Sequence, residues 1–307
     1  MRQIIHIGGN KTASTTLQRG LFAADKRIRY LGEDCEDYAQ LRPLLESMVQ
    51  DDDSFFDEVA TAAMFAQRFT AHDGTVYVYS NEDVMTSRLA SVCAQRLKKL
   101  LPAATVVMVM RNQLTAWPSW YANHGAFLTW VPRRYWRRPV ELEEWLDFCF
   151  AFPKRTPVEA LNYFRFFRMF ADLFGADRVK VLYYEELLEN PSRYYARWDE
   201  LLGLPAGEAF KTLHGKAERQ RNSGRRIAYD HWKTMAATVV PGLAPAEDTL
   251  MRTLPALARW IDSGAPARIE LSDTWKTRIR DYYASTNAQL AELVGPEMAR
   301  YGYPLAR

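Results

Sequence analysis

The chain has 307 residues, 48% hydrophobic and 25% charged, with a net charge of +3. This is ordinary for a soluble globular protein and too mildly basic for a dedicated nucleic-acid binder, so no nucleic-acid partner is expected. No apolar run approaches the ~20 residues of a transmembrane segment, and three scattered cysteines, Cys35, Cys93 and Cys149, argue against a disulfide framework or zinc site and point to a reducing, cytoplasmic setting.

Residues 3–7 read as a short buried strand that begins almost at once, so no signal peptide is visible. Small residues then open a helix with Leu17, Leu21 and Phe22 on its apolar face. Residues 57–69 predict an amphipathic helix, stopped by His72-Asp73-Gly74, and residues 75–79 a second strand. Helical periodicity returns over residues 89–101. Residues 105–110 are apolar throughout, as inside a parallel sheet. Arg111-Asn112-Gln113 opens a helix carrying Pro118, and residues 127–139 are irregular, aromatic and basic. Residues 141–152 and 158–174 read as helices and residues 178–184 as a fourth strand. Pro191 opens a helix that Gly203 ends. After Ala206 the chain is polar and strand-poor until a final helix over residues 271–293.

Strands alternating with helices predict an α/β fold: three layers, α/β/α, around a mainly parallel central sheet. A P-loop-like strand–loop–helix stands at the N-terminus and a helical part at the C-terminus. Ligands of such sheets bind beyond the strand C-terminal ends. That rule selects residues 8–16, 80–83 and 111–119.

Residues 8–16, Gly-Gly-Asn-Lys-Thr-Ala-Ser-Thr-Thr, have the makings of an anion site. Glycines let the backbone approach a ligand, and a helix N-terminus offers unpaired N–H groups. Lys11 adds a full charge; Thr12, Ser14, Thr15 and Thr16 add hydroxyl donors. A strand–helix turn with Ser/Thr caps is the plain alternative, but a lysine among small residues gives little to packing. The Walker A pattern is not met, because Asn10 and Ile5 stand where its glycines belong. Arg111 ends a buried strand as a second cation whose planar fork suits phosphate oxygens. Ser119 lies about 12 Å further along if the stretch is helical. Alone, each would read as a surface ion pair and a plain helical hydroxyl. His6, inside the first strand, reads as a packed core histidine. Glu82 follows the second strand; an acid at a helix N-terminus is its plain reading, and Asp83 reads as a cap.

Lys11-Thr12-Ala13-Ser14-Thr15 resembles the 5′-phosphosulfate loop, K-[ST]-G-[ST]-[ST], of sulfotransferases that use 3′-phosphoadenosine 5′-phosphosulfate (PAPS). Ala13 replaces the usual glycine, and Thr16 stands where animal cytosolic members carry an adenine-stacking tryptophan. Arg111 and Ser119 are similar to the family's 3′-phosphate pair, an arginine after this strand and a serine eight residues on. Ser80-Asn81-Glu82 resembles the bacterial S-x-E version of the strand end that carries the base. Tyr184-Glu185-Glu186 resembles a family segment whose tyrosine lies near the adenine; a core tyrosine beside a helix-start acid is the alternative. Residues 219–226, basic and containing glycine, loosely resemble the family's closing segment, and a solvated charge run fits equally well.

The resemblance implies one sulfotransferase domain over residues 1–307. PAPS, or its product 3′-phosphoadenosine 5′-phosphate (PAP), is then bound by Asn10, Lys11, Thr12, Ala13, Ser14, Thr15, Thr16, Arg111, Ser119, Tyr184, Asn222, Ser223 and Arg225. Lys11 and Glu82 are the implied catalytic residues, Glu82 taking the proton of a hydroxyl acceptor, and no metal is required. Residues 130–138 interleave tryptophans, a tyrosine and arginines; an acceptor flap for an anionic glycan, a solvated flap and a partner surface all fit. Two rival functions are a P-loop nucleotide-dependent kinase, with Glu82 or Asp83 on magnesium, and a non-catalytic nucleotide- or glycan-binding module.

Overall fold

The computed structural model describes residues 2–70, 75–124, 140–214, 223–229, 232, 253–265 and 268–306. In chain order the elements are β1 (Arg2–His6), α1 (Ser14–Leu17), a π-helical turn (Gln18–Phe22), β2 (Ile28–Gly32), α2 (Tyr38–Gln50), α3 (Glu58–Arg68) and β3 (Val76–Ser80). There follow α4 (Asp83–Thr86), α5 (Ala90–Leu100), β4 (Thr105–Met110), α6 (Gln113–His124), α7 (Leu142–Ala151) and α8 (Tyr163–Phe174). Then come β5 (Val179–Tyr183), α9 (Tyr184–Glu189), α10 (Pro191–Leu202) and α11 (Glu208–Leu213). Later helices span Pro255–Asp262, Asp273–Val294 and Glu297–Arg300.

The chain divides into two compact units. The first comprises Met1–Asn112, Glu159–Glu218 and Asp281–Arg307; the second comprises Gln113–Val158 and Arg219–Arg280.

The first unit is a three-layer α/β/α sandwich. Its five strands are all parallel, in the order β2-β3-β1-β4-β5. Right-handed crossovers send the connections that advance across a sheet over one face and those that retreat over the other. Accordingly α2, α3, α5 and α8 pack together, with α8 on β4 and β5. On the opposite face the π-helical turn meets β2 and α11, while α10 meets β1. Cover on both faces explains why the central strands lack alternation: Ile4, Ile5, Val76 to Tyr79 and Val106 to Met110 are all buried.

Register decides where the loops meet. His6, the last residue of β1, lies opposite Ser80, the last of β3. Against β4, however, His6 pairs with Val107, so β4 runs on past the end of β1. The loop after β1 follows it: the Ile7 and Gly9 N–H groups donate to the Val107 and Val109 carbonyls, each at 3.0 Å. The first loop is thereby drawn toward the residue that follows β4, Arg111.

Several elements depart from the sequence pattern. β2 is a fifth strand, an edge strand of five residues with exposed Arg29, too short and mixed to announce itself. α2 forms despite Pro43. The helix expected over residues 158–174 breaks into a 3-10 turn, Pro157–Leu161, and α8, because the Asn162 side chain caps α8 by accepting from the Arg165 N–H at 3.3 Å. β5 stops at Tyr183, so Tyr184 begins a helix instead of ending a strand. Among the described residues, the stretch after Ala206 holds unforeseen helices, including α11, residues 224–229 and Pro255–Asp262. The expected stop at residues 72–74 and the basic aromatic stretch at residues 127–139 lie outside the described residues.

In the second unit an aromatic cluster supplies the core. Trp117 packs on Trp145 at 5.4 Å and on Phe150 at 5.5 Å, and Phe150 packs on Trp275 at 5.3 Å. The Tyr121 hydroxyl donates to the Val140 carbonyl at 2.6 Å. Among the described residues no helix is long and apolar enough to cross a membrane. Cys35, Cys93 and Cys149 are buried free thiols.

Candidate functional site

The site is built first on the loop after β1. Lys11 and Ala13 adopt left-handed backbone conformations, with φ of 71° and 64°. Thr12 and Ser14, both buried, stitch the turn: the Thr12 hydroxyl donates to the Gly9 carbonyl at 2.6 Å and lies 3.1 Å from the Ser14 hydroxyl. Gly8 is required, since a Cβ there would fall 2.7 Å from His6 Nε2 and 2.9 Å from Ser14 Oγ. Asn10, Lys11, Ala13, Thr15 and Thr16 are half-buried along the same turn.

Ala13 therefore follows a left-handed backbone path that favours glycine, at a cost in strain. A left-handed residue with a Cβ costs ~1–2 kcal/mol, partly offset by the ~0.4–1 kcal/mol that glycine adds to unfolded-chain entropy. Ala13→Gly is accordingly expected to stabilise the first unit by up to about 1 kcal/mol. A urea titration reads this as a raised midpoint; a lowered midpoint contradicts the strain.

The second part follows β3. The Asn81 N–H donates to the His6 carbonyl at 3.1 Å, continuing the ladder. The Asn81 side chain then accepts from the Asp83 N–H at 2.8 Å and opens α4. Asn81, not Asp83 as the sequence suggests, supplies the capping oxygen. Glu82 stands at the N-cap position with no side-chain cap bond. Burial pushes its carboxyl up to about 7, against the pull of the nearby Ser14 hydroxyl; Glu33 and Asp83 add to the rise, and the Lys11 charge opposes it. Behind it, His6 Nδ1 lies 2.7 Å from Ser80 Oγ, which also accepts from Gln18 Nε2 at 3.0 Å. Burial holds the His6 ring neutral, its pKa lowered to about 3, between Phe22 and Trp198. It is the core histidine its sequence position predicts.

The third part is Arg111, buried just past β4. Its backbone is held by Tyr163, whose hydroxyl accepts from the Arg111 N–H at 3.1 Å and donates to the Arg111 carbonyl at 2.7 Å. The guanidinium donates to the Lys11 carbonyl at 2.8 Å and lies 4.5 Å above the Tyr184 ring. Two of the next residues after Tyr184 do different work. Glu185 accepts from the Asn112 N–H at 2.9 Å and from the Tyr303 hydroxyl at 3.0 Å. Glu186 is buried between Arg193 and Arg197, at 2.9 and 3.0 Å, and pins α9 to α10. Tyr163 and Tyr303 were not legible as site residues. Their hydroxyls reach Arg111 and Glu185 across sequence gaps that carry no local motif.

The first unit thus brings Lys11, Thr12, Ser14 and Glu82 into one cluster, with Arg111 and Tyr184 against the Lys11 backbone. The remaining candidates belong to the second unit. Ser119 is half-buried on α6. The Ser223 hydroxyl donates to the Ile261 carbonyl at 2.8 Å and accepts from the Arg226 N–H at 3.0 Å. Arg225 lies 4.7 Å over the Trp260 ring and donates to the Ser263 hydroxyl at 3.2 Å. These two side chains tie their segment to residues 260–263. Asn222, the rest of residues 219–222 and residues 130–138 lie outside the described residues. Among the described residues no group of three or more His, Cys, Asp or Glu is placed to hold a metal ion.

No protein-family model matches the chain, and no curated protein sequence does. Among solved structures, a sulfotransferase from Alicyclobacillus acidocaldarius is similar, with a TM-score of 0.45 and 15% identity over 78% of this chain and 96% of that one. The sulfotransferase domain of the curacin biosynthetic pathway gives 0.40 and 12%, over 68% of this chain and 76% of that one. The sulfotransferase domain of the Synechococcus PCC 7002 olefin synthase gives 0.39 and 11%, over 78% and 95%.

Proposed function

We propose that this chain is a sulfotransferase that moves the sulfuryl group of PAPS to a hydroxyl acceptor. One observation carries the reading. A lysine in a strand–helix loop, an arginine bonded to that lysine's carbonyl, and a buried carboxyl of raised pKa close to Ser14 and Lys11 of the same loop all gather at the C-terminal ends of β1, β4 and β3. Parallel sheets place ligands at those ends.

The residues present fit the nucleotide. Lys11 and Arg111 are two cations for two phosphate-bearing ends, and the Tyr184 ring beside Arg111 offers a face for the adenine. PAPS supplies the sulfuryl group and is left as PAP. Lys11 neutralises charge on the 5′ side, where it develops as the sulfuryl group is transferred. Glu82 takes the proton of the acceptor hydroxyl as that oxygen bonds to sulfur. An ordinary carboxylate, with a pKa of about 4.3, is a weak base for this task. Burial makes Glu82 a stronger one, matched to neutral pH. Arg111 holds the 3′-phosphate, with its direction fixed by Tyr163 and the Lys11 carbonyl. The acceptor class is open to test, an anionic glycan being the first candidate.

The test is calorimetric titration of PAP, and of ADP with and without magnesium, followed by transfer of radiolabelled sulfate from PAPS to a panel of alcohols and anionic glycans. PAP binding without magnesium, tighter than ADP, together with labelled product, is expected. Magnesium-dependent ADP binding that exceeds PAP overturns the reading in favour of a kinase. PAP binding with no transfer to any acceptor reduces the protein to a nucleotide-binding module.

A further inference from the structure

We infer that the C-terminal tail, residues 301–303, is a working part of the Arg111 clamp, and that Tyr303 is a positioning residue that acts on Arg111 through Glu185. The inference rests on the reading above that Arg111 holds a phosphate.

The tail returns to the sheet after the Glu297–Arg300 helix, where Gly302 turns the chain with a φ of 68°. It is anchored at two further points. Asn287 Nδ2 donates to the Pro304 carbonyl at 2.9 Å, and the Ala306 N–H donates to the Ala284 carbonyl at 3.2 Å. Between these ties and the helix, the tail makes two contacts, one just past the end of β4 and one on α9. Asn112 Nδ2 donates to the Tyr301 carbonyl at 3.1 Å, and the buried Tyr303 hydroxyl donates to Glu185 at 3.0 Å. The Tyr303 ring is wedged against Tyr183 at 5.9 Å and Tyr163 at 6.4 Å.

Glu185 is the clip. One carboxylate oxygen holds the tail's hydroxyl; the other holds the Asn112 N–H, the peptide immediately after Arg111. Its neighbour Tyr184 supplies the ring beneath the guanidinium. Tyr163 holds the peptide on the other side of the Arg111 Cα, and its ring is the one Tyr303 packs on. The peptides that flank the Arg111 Cα, from which its side chain takes its direction, are therefore held by Glu185 and Tyr163, and both of these lean on Tyr303. Packing alone does not ask for this arrangement. Burying a carboxylate is costly unless it is fully bonded, and an apolar pair of similar volume stabilises a fold at least as well. Burial already raises the Glu185 pKa, and the Asn112 and Tyr303 donors work against that rise. Removing the Tyr303 hydroxyl takes away the tail's donor to Glu185, and the clip slackens on the side that carries Arg111.

The experiment compares Tyr303→Phe with the wild type using two probes, PAP and adenosine 5′-phosphate, which lacks the 3′-phosphate. It adds hydrogen exchange of the Asn112 amide in the ligand-free protein. Phenylalanine preserves the ring packing, so the fold is retained. PAP affinity is expected to fall about tenfold, as for the loss of a hydrogen bond to a charged group, with adenosine 5′-phosphate affinity unchanged. The Asn112 amide is expected to exchange about tenfold faster, reporting local opening. Glu185→Gln should do the same, and the double variant should be no worse than either single one, since the two residues act in series. Equal losses for both nucleotides mark a general loosening and overturn the inference. Additive losses, or wild-type exchange and PAP affinity in Tyr303→Phe, also overturn it. Should Tyr303→Phe not fold, Asn112→Ala, which cuts the tail's other tie, carries the same readouts. If the wild type itself binds no PAP, the sulfotransferase reading fails, while exchange at Asn112 still decides whether the tail holds the end of β4.

Discussion

Under the proposed function, Glu82→Gln is expected to lower sulfuryl transfer by about 10²–10⁴-fold, the usual loss when a positioned general base is removed. The amide has the shape of the acid and cannot take a proton. Nothing structural should fail with it. The cap of α4 is supplied by Asn81, not by Glu82, and the amide has nearly the same volume. The pH profile separates this role from mere packing. A base works in its deprotonated form, and burial raises the Glu82 pKa to about 7. Wild-type turnover should therefore climb with pH as Glu82 ionises, level off above about 7, and be lost as pH falls through that value. The variant should show no such limb. Steady-state rates between pH 5.5 and 9 decide it: a variant that keeps the limb, or turns over near the wild-type rate, removes Glu82 from the chemistry.

Lys11→Ala has the second large effect, a loss of about 10²–10³-fold in turnover, typical of removing one electrostatic stabiliser of developing charge. The backbone cost is unchanged, because alanine carries the same Cβ at a φ of 71°. A second consequence follows from the loop's electrostatics. The Lys11 charge holds the Glu82 pKa below where burial alone would put it. Its removal should move whatever limb remains to higher pH. Parallel titrations of both variants with PAP complete the test, since Lys11→Ala should weaken PAP binding while Glu82→Gln should not. Turnover within threefold of wild type, or a limb that stays in place, counts against Lys11 as the loop's working charge.

Much of the candidate site was legible because its chemistry is local. Lys11 stands among small residues between an apolar run and a helix, Arg111 directly follows a six-residue apolar strand, and Glu82 follows another strand by two residues. Such positions need only the periodicity of a parallel sheet and the rule that its loops at one end face the ligand. The supports of those residues were not legible. Tyr163 opens an aromatic helix and Tyr303 stands between Gly302 and Pro304, neither in a motif, and both are buried. Their hydroxyls matter only because the fold brings them to Arg111 and Glu185. Ser80 shows the same division, a strand-end serine in sequence and a shared hydrogen-bond partner of His6 and Gln18 in space.

The sequence by itself determined the layered α/β architecture, the buried central strands and the types of residue at the strand ends. Apolar periodicity and turn chemistry act over a few residues and survive without neighbours. Only the tertiary structure decided that edge strand β2 exists, that Ala13 takes up the strain of a glycine position, and that Asn81 and not Asp83 opens α4. It also decided that β4 overruns β1, which turns Lys11 and Arg111 from separate motifs into hydrogen-bonded neighbours. These outcomes depend on register and on backbone groups finding partners about a hundred residues away, and no local pattern of side chains encodes them.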